Sequence, residues 1–337
     1  MDVHTGEILA MVSYPEYSSQ VLSDKKDDEL ISKWLTDNQN KPFLDRAIDG
    51  LYTPGSIMKP FIALGVLNEG VIDPSTIIRT TGSITIPNPY DPDKPTIFRD
   101  WKNLGALDMR HAIAMSSDAY FYIVGGGYKD QNGLGILNIE KYLKMFGFGS
   151  DNGSTFFTSH SGKDGKLGII PSPEWKQEVF NEPWYLGNTY HTSIGQYGVL
   201  ITPMQALLAV GAIANGGDLL IPSITKVDSP SISSHIDLPE KHWNVIKDGM
   251  RLVVKEGTGL GLNFPFVNVS AKTGTAELGI SKSRVNSWAI GYWPSENPKY
   301  AFATLMESGS VHNLIGSVAV MRQQFEWMNT NTPEYFK

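Results

Sequence analysis

Three groups of residues in this chain are of the types that serine-based acyl transfer needs. Ser56 stands three residues before Lys59 in Thr53-Pro54-Gly55-Ser56-Ile57-Met58-Lys59-Pro60. Ser116 stands two residues before Asp118, just ahead of Ala119-Tyr120-Phe121-Tyr122. Lys272-Thr273-Gly274-Thr275 follows much later, in a β-like run. A hydroxyl is a poor nucleophile until a neighbouring base takes its proton. On a helix, Lys59 would lie one turn from Ser56 on the same face. A lysine that is partly desolvated beside a second cation can lose enough pKa to act as that base.

Spacing alone does not select these residues, because Ser23-Asp24-Lys25-Lys26 and Ser223-Ile224-Thr225-Lys226 repeat the first pattern. Ser56 differs in following Pro-Gly and opening an apolar helix. A helix-capping serine with a solvent lysine is the bland alternative. Ser150-Asp151-Asn152 competes with Ser116-Ser117-Asp118, but it sits in a glycine-flanked turn where such residues are expected anyway. Ser116 to Asp118 lie instead among apolar neighbours, where polar groups need a compensating partner. On a strand, Lys272 and Gly274 face one way and Thr273 and Thr275 the other. Gly274 lets a substrate or another backbone come close, and Lys272 can pair with a carboxylate. The alternative there is an edge lysine before a glycine turn.

The elements that would hold these groups can be read from periodicity. Val3 to Val12 is expected as a strand, a turn at Thr5-Gly6 and a second strand. Ser18 to Asn40 is polar, a surface loop and helix. Ser56 to Glu69 is expected as a helix with Ile57, Phe61 and Leu64 on one face, stopped by Gly70. Residues 71 to 101 read as extended loops, and Ala106 to Val124 as one helix. Further helices are expected over 139–146, 203–214, 242–256 and 318–328. Val269 to Leu278, Ser287 to Trp293 and Tyr300 to Glu307 form an antiparallel meander. The two ends therefore share a sheet, about 1–50 and 240–337, and the helical middle, about 51–239, is inserted between them.

Bulk properties narrow the function. Hydrophobic residues make up 41% and charged residues 19%, which excludes wholesale disorder. The net charge of −7 argues against a nucleic-acid partner. With no cysteine, disulfides and thiolate metal sites are impossible. The seven histidines show no HExxH or paired spacing, so neither a metal nor a cofactor is expected. No stretch is long and apolar enough to span a bilayer. A chain that opens directly in a strand-like pattern is expected to be part of a longer protein.

Taken in order, the three groups match the signature of penicillin-binding proteins and serine β-lactamases. The match goes further. Asp2-Val3-His4-Thr5-Gly6-Glu7-Ile8-Leu9-Ala10-Met11 resembles the opening strands of class B penicillin-binding protein transpeptidase domains. Phe98-Arg99-Asp100-Trp101-Lys102, Glu174-Trp175-Lys176-Gln177, Pro183-Trp184-Tyr185-Leu186-Gly187 and Ser193-Ile194-Gly195-Gln196 resemble the elongation-type, penicillin-binding protein 2-like subgroup.

The resemblance implies an α/β (α+β) fold, a five-stranded antiparallel sheet flanked by helices with an all-helical subdomain. It implies D,D-transpeptidation of peptidoglycan stem peptides, and β-lactam antibiotics as substrate mimics. Ser56 would be the nucleophile, Lys59 the base and Ser116 a proton relay. Lys272, Thr273 and Thr275 would hold the substrate carboxylate, with Gly274 in the same binding strand. The backbone N–H groups of Ser56 and Thr275 would form the oxyanion hole. Asp118 stands where the wider family has Asn, and is expected to bridge the helical part to the lysines. The loop Gly153 to Gly165 departs from the family's acidic pattern.

A membrane anchor and pedestal would precede this chain, placing it on the periplasmic face of the inner membrane. A rod-complex membrane glycosyltransferase would be the partner of the full-length protein. D,D-Carboxypeptidase, serine β-lactamase and a non-turnover β-lactam sensor are the alternatives, and no glutamate suited to a β-lactamase's deacylating base can be placed.

Overall fold

The computed structural model describes residues 1–88, 91, 93–151 and 167–337. At its centre the strands Ser270–Leu278, Arg284–Trp293 and Tyr300–Ser310 form an antiparallel sheet in that order. The middle strand is buried from Trp288 to Trp293 because helices cover both faces. Trp288, Ile290 and Tyr292 join the core that includes Pro203–Asn215, whereas Ala289 and Trp293 face Met321 and Phe325 of Ser317–Asn331. That split follows from the period of two along a strand.

The sheet has fewer regular strands than the five expected. Asp2 makes a single bridge to Tyr300 at its outer edge, and Glu7 bridges Ser223. The Asp2 carboxylate accepts from the His4 and Thr5 N–H groups at 2.8 and 3.0 Å, and Gly6 turns at φ +81°. The chain thus leaves the sheet edge before a ladder can form, and Leu9 to Val12 are exposed. The inserted middle is also not all helical among the described residues. Ile78–Arg79 pairs with Ala106–Leu107, Ser83–Ile86 with Thr96–Arg99, and Asp218–Leu220 with Ile232–His235. Alternating Ile and Thr within the Pro- and Asp-rich stretch supplies the second of these hairpins.

The helix after Ser56 differs from the one-sided reading. Residues Ile57 to Leu67 are all buried, Lys59 included. A helix surrounded on every side is a central element, and it carries Lys59 into the interior. Glu240–Lys255 packs on both Met109–Ala114 and the Ser270–Leu278 strand, and so ties the middle to the sheet.

The expected helix over 106–124 is two helices, Met109–Ala114 and Asp118–Gly126, with a break between them. Ser116 occupies the left-handed region at φ +56°. The Ser117 N–H reaches back to the Ala112 carbonyl and the Ser116 N–H to that of Ile113, at 3.1 and 3.2 Å. This is a Schellman ending with serine where glycine is usual. A non-glycine residue there costs about 1–2 kcal/mol, so local propensity does not explain the break.

Candidate active site

Ser56 lies in the 3-10 turn Gly55–Met58 that leads directly into Lys59–Asn68. Sheet and helices hold this turn from several sides. The Thr53 carbonyl accepts from the Trp288 indole at 3.0 Å, and the Gly55 N–H donates to the Gly195 carbonyl at 3.0 Å. Gly55 has φ +59°, and a Cβ there would come within 2.8 Å of the Thr275 carbonyl oxygen. A Cβ on Gly274 would come within 2.7 Å of the Pro54 carbonyl oxygen and 3.2 Å of the Ile57 nitrogen. Both glycines are therefore required for the turn to lie against the Ser270–Leu278 strand, which brings Ser56 beside Thr275.

Lys59 is fully buried and its Nζ has three oxygen partners. It donates to the Ser116 carbonyl at 2.7 Å, to Ser116 Oγ at 3.3 Å and to Asp118 Oδ1 at 2.6 Å. Lys272, also fully buried, donates to the same Ser116 Oγ at 2.9 Å and to the Thr273 carbonyl at 2.8 Å. One hydroxyl thus bridges two lysine amines carried by different elements, and the break at Ser116 is what aims it there. Burial first, and then the neighbouring Lys59 charge, hold the Lys272 amine well below the ordinary lysine range; Asp118 acts in the opposite direction. A hydroxyl between two amines can pass a proton from one side to the other by rotating.

The strand places Lys272 and Gly274 inward, Thr275 outward and Thr273 partly exposed, as alternation requires. Thr273 Oγ1 lies 2.5 Å from Thr258 Oγ1, in the Gly257-Thr258-Gly259 loop. That loop was not singled out in the sequence, although its flanking glycines are a signal of close approach: a Cβ on Gly257 would sit 2.1 Å from the Ala114 carbonyl oxygen. The Thr258 N–H in turn donates to Ala114. Ser150 lies apart from these contacts, in the turn after Ile136–Met145, with its hydroxyl on the Gly147 carbonyl at 3.2 Å. Asn152 and the loop 153–165 fall outside the described residues.

The turn after Thr53-Pro54, the Ser116 break and the Lys272 strand therefore come together at one place in the fold. Over residues 1–324 the chain matches the penicillin binding protein transpeptidase domain family. The chain belongs to that family. Its relatives place it with the elongation-type, penicillin-binding protein 2-like members. The peptidoglycan D,D-transpeptidase MrdA of Acinetobacter baumannii is 31% identical, over 92% of this chain and 47% of that protein. MrdA of Haemophilus influenzae is 30% identical, over 100% of this chain and 53% of that protein. The chain spans about half the length of the curated relatives it matches. Among solved structures, penicillin-binding protein 2 of Helicobacter pylori superimposes with a TM-score of 0.79 at 29% identity, over 98% of this chain and 59% of that one. The Pseudomonas aeruginosa protein in complex with WCK 5153 gives 0.78 at 27% identity, over 98% and 73%. These likenesses cover both the sheet and the inserted middle. No helix among the described residues is long and apolar enough to cross a membrane.

Proposed function

We propose that this penicillin-binding protein domain is a serine D,D-transpeptidase acting on peptidoglycan stem peptides. The observation that carries the reading is the bridging of Lys59 and Lys272 by the Ser116 hydroxyl, at 3.3 and 2.9 Å, beside the turn that bears Ser56. Ser56 Oγ attacks the penultimate D-Ala carbonyl and gives its proton to Lys59, which must first release the ammonium proton that its pairing with Asp118 favours. The backbone N–H groups of Ser56 and Thr275 stabilise the oxyanion, a role supported by the close approach of the turn to that strand. Ser116 passes the proton on to the leaving D-Ala nitrogen. Lys272, with Thr273 and Thr275, holds the terminal carboxylate. An amine from a neighbouring stem then attacks the acyl-enzyme carbonyl; the C–Oγ bond breaks, and the proton lost by the amine returns to Ser56 Oγ as the cross-link forms.

Incubating the protein with a stem pentapeptide donor and an acceptor amine, and resolving products by mass spectrometry, tests this reading. A cross-linked peptide with released D-Ala is expected. Release of D-Ala with only tetrapeptide would make it a carboxypeptidase, and β-lactam acylation without any peptide product a sensor. Rapid hydrolysis of the drug would make it a β-lactamase. In the full-length protein we assign the domain to the periplasmic face of the inner membrane, with a membrane glycosyltransferase as partner. That assignment is supported by similarity to a structure described as structural coordination of polymerization and crosslinking by a peptidoglycan synthase complex.

The role of Lys272 has a pH signature. Holding a carboxylate needs the ammonium form, and this amine is held below the ordinary lysine range. Acylation by a carboxylate-bearing penicillin should therefore fall off on the alkaline side at a pH below the usual lysine value of about 10.4. Lys272→Arg should move that limb upward, because a guanidinium keeps its proton. An unmoved limb in the arginine variant would assign the titration to another group. The same depression means that the unfolded chain binds this proton first as pH falls. Lys272 thus adds stability as pH rises between its folded and unfolded values.

A further inference from the structure

The Ser116 break is held in place by two adjacent residues that are remote from it in sequence. Asp100 ends the Ser83–Ile86/Thr96–Arg99 hairpin, and its own N–H donates to the Gly82 carbonyl at 2.8 Å. Its carboxylate receives the Ser117 hydroxyl at 2.6 Å, the Asp118 N–H at 3.1 Å and the Ala119 N–H at 3.1 Å. Ser117 Oγ, oriented by that bond, receives the Tyr120 N–H at 3.1 Å, and the Ser117 carbonyl receives Phe121 at 3.4 Å. All four N–H groups that open the Asp118–Gly126 helix are thereby satisfied. On the other side of Ser116, the Trp101 indole donates to the Met115 carbonyl at 3.1 Å. The remaining carbonyls at this end are also occupied, Ala114 by the Thr258 N–H and Ser116 by Lys59 Nζ. Residues 115 and 117–119 are thus each tied to the Asp100-Trp101 pair, and Ser116 is the one residue between them.

We infer that Asp100 and Trp101 are positioning residues for the acyl-transfer site, forming a clamp that holds Ser116 in its left-handed conformation with its hydroxyl between Lys59 and Lys272. The inference rests on the transpeptidase reading above. The left-handed backbone at a serine is unfavourable by itself, so something outside the segment must select it, and these contacts flank it on both sides. Asp100 also fixes the start of the helix from which Asp118 reaches Lys59. Neither side chain touches the reacting atoms in this account. Both act through the place they give to Ser116 and Asp118.

The test uses penicillin acylation with the pre-acylation binding constant and the acylation rate constant resolved, per folded molecule. Asp100→Asn swaps an all-acceptor carboxylate, which also receives the Trp101 N–H at 2.8 Å, for an amide that cannot accept all four donors. Trp101→Phe keeps a ring at a side chain that is 58% exposed and removes only the indole donor, so it should fold normally. A fall of at least about tenfold for Asp100→Asn is expected, and about three- to tenfold for Trp101→Phe. Both losses should fall on the rate constant, with the binding constant near wild type. A wild-type rate constant in either variant overturns that residue's half of the clamp, and a loss confined to binding overturns the positioning role. If the wild-type protein itself forms no adduct on Ser56, the transpeptidase reading has failed instead.

Discussion

Ser116→Ala should slow acylation by a penicillin by at least ~10²-fold, the usual scale for losing a positioned proton-transfer group. The effect should be large because this hydroxyl is the shared partner of both buried lysines. Alanine also leaves each amine short of an acceptor in an interior where that is costly. The backbone should survive, since the Schellman bonds and the Asp100 and Trp101 contacts do not use the Ser116 side chain. Ser150→Ala is the matched control, with near wild-type acylation expected. The Ser150 hydroxyl bonds a turn carbonyl, while its own carbonyl, which receives Gln205 Nε2 at 3.0 Å, is kept by alanine. Stopped-flow acylation with one fluorescent penicillin measures both variants. A slow Ser150 variant beside a fast Ser116 variant would mean the literal Ser-Asp-Asn is the working motif.

Asp118→Ala should be the most destabilising change at the site. Lys59 is fully buried and Asp118 is its anionic partner at 2.6 Å, with the aspartate side chain 21% exposed. Removing one member of such a pair strands the other charge, at a cost of about 3–5 kcal/mol. Acylation should fall as well, because Lys59 then keeps only its Ser116 contacts. Asp118→Asn retains an acceptor oxygen for Lys59 and should acylate within about tenfold of wild type, roughly 1.4 kcal/mol in the barrier. Thermal unfolding together with acylation rates separates the two effects. Asparagine as damaging as alanine would show that the negative charge itself is required at this position.

Which candidate residues would come together was more legible than the scaffold. Ser56, Lys59 and Lys272 could be chosen over their look-alikes because their neighbours report element type. Pro54-Gly55 marks a sharp entry, and alternation around Lys272 marks a strand. The final meander was readable because its strands are long and separated by strong turn residues. The break at Ser116 was not, since no glycine or proline stands there and apolar residues run on both sides. It exists because Asp100, Trp101 and Lys59 satisfy its backbone from distant parts of the chain, and helical propensity loses to that accounting. Burial of Lys59 was hidden for a related reason: its oxygen partners lie 57 and 59 residues away. The missing edge strands reflect the opposite balance, a local Asp2–Thr5 turn that outweighs an alternating pattern.

We propose Ser56 as the nucleophile. Intact-mass measurement after incubation with a penicillin, followed by peptide mapping, tests it most directly. One acyl adduct is expected, mapped to the peptide carrying Ser56, persisting for hours and absent in Ser56→Ala. No adduct, or an adduct on Ser23 or Ser223, would contradict the account.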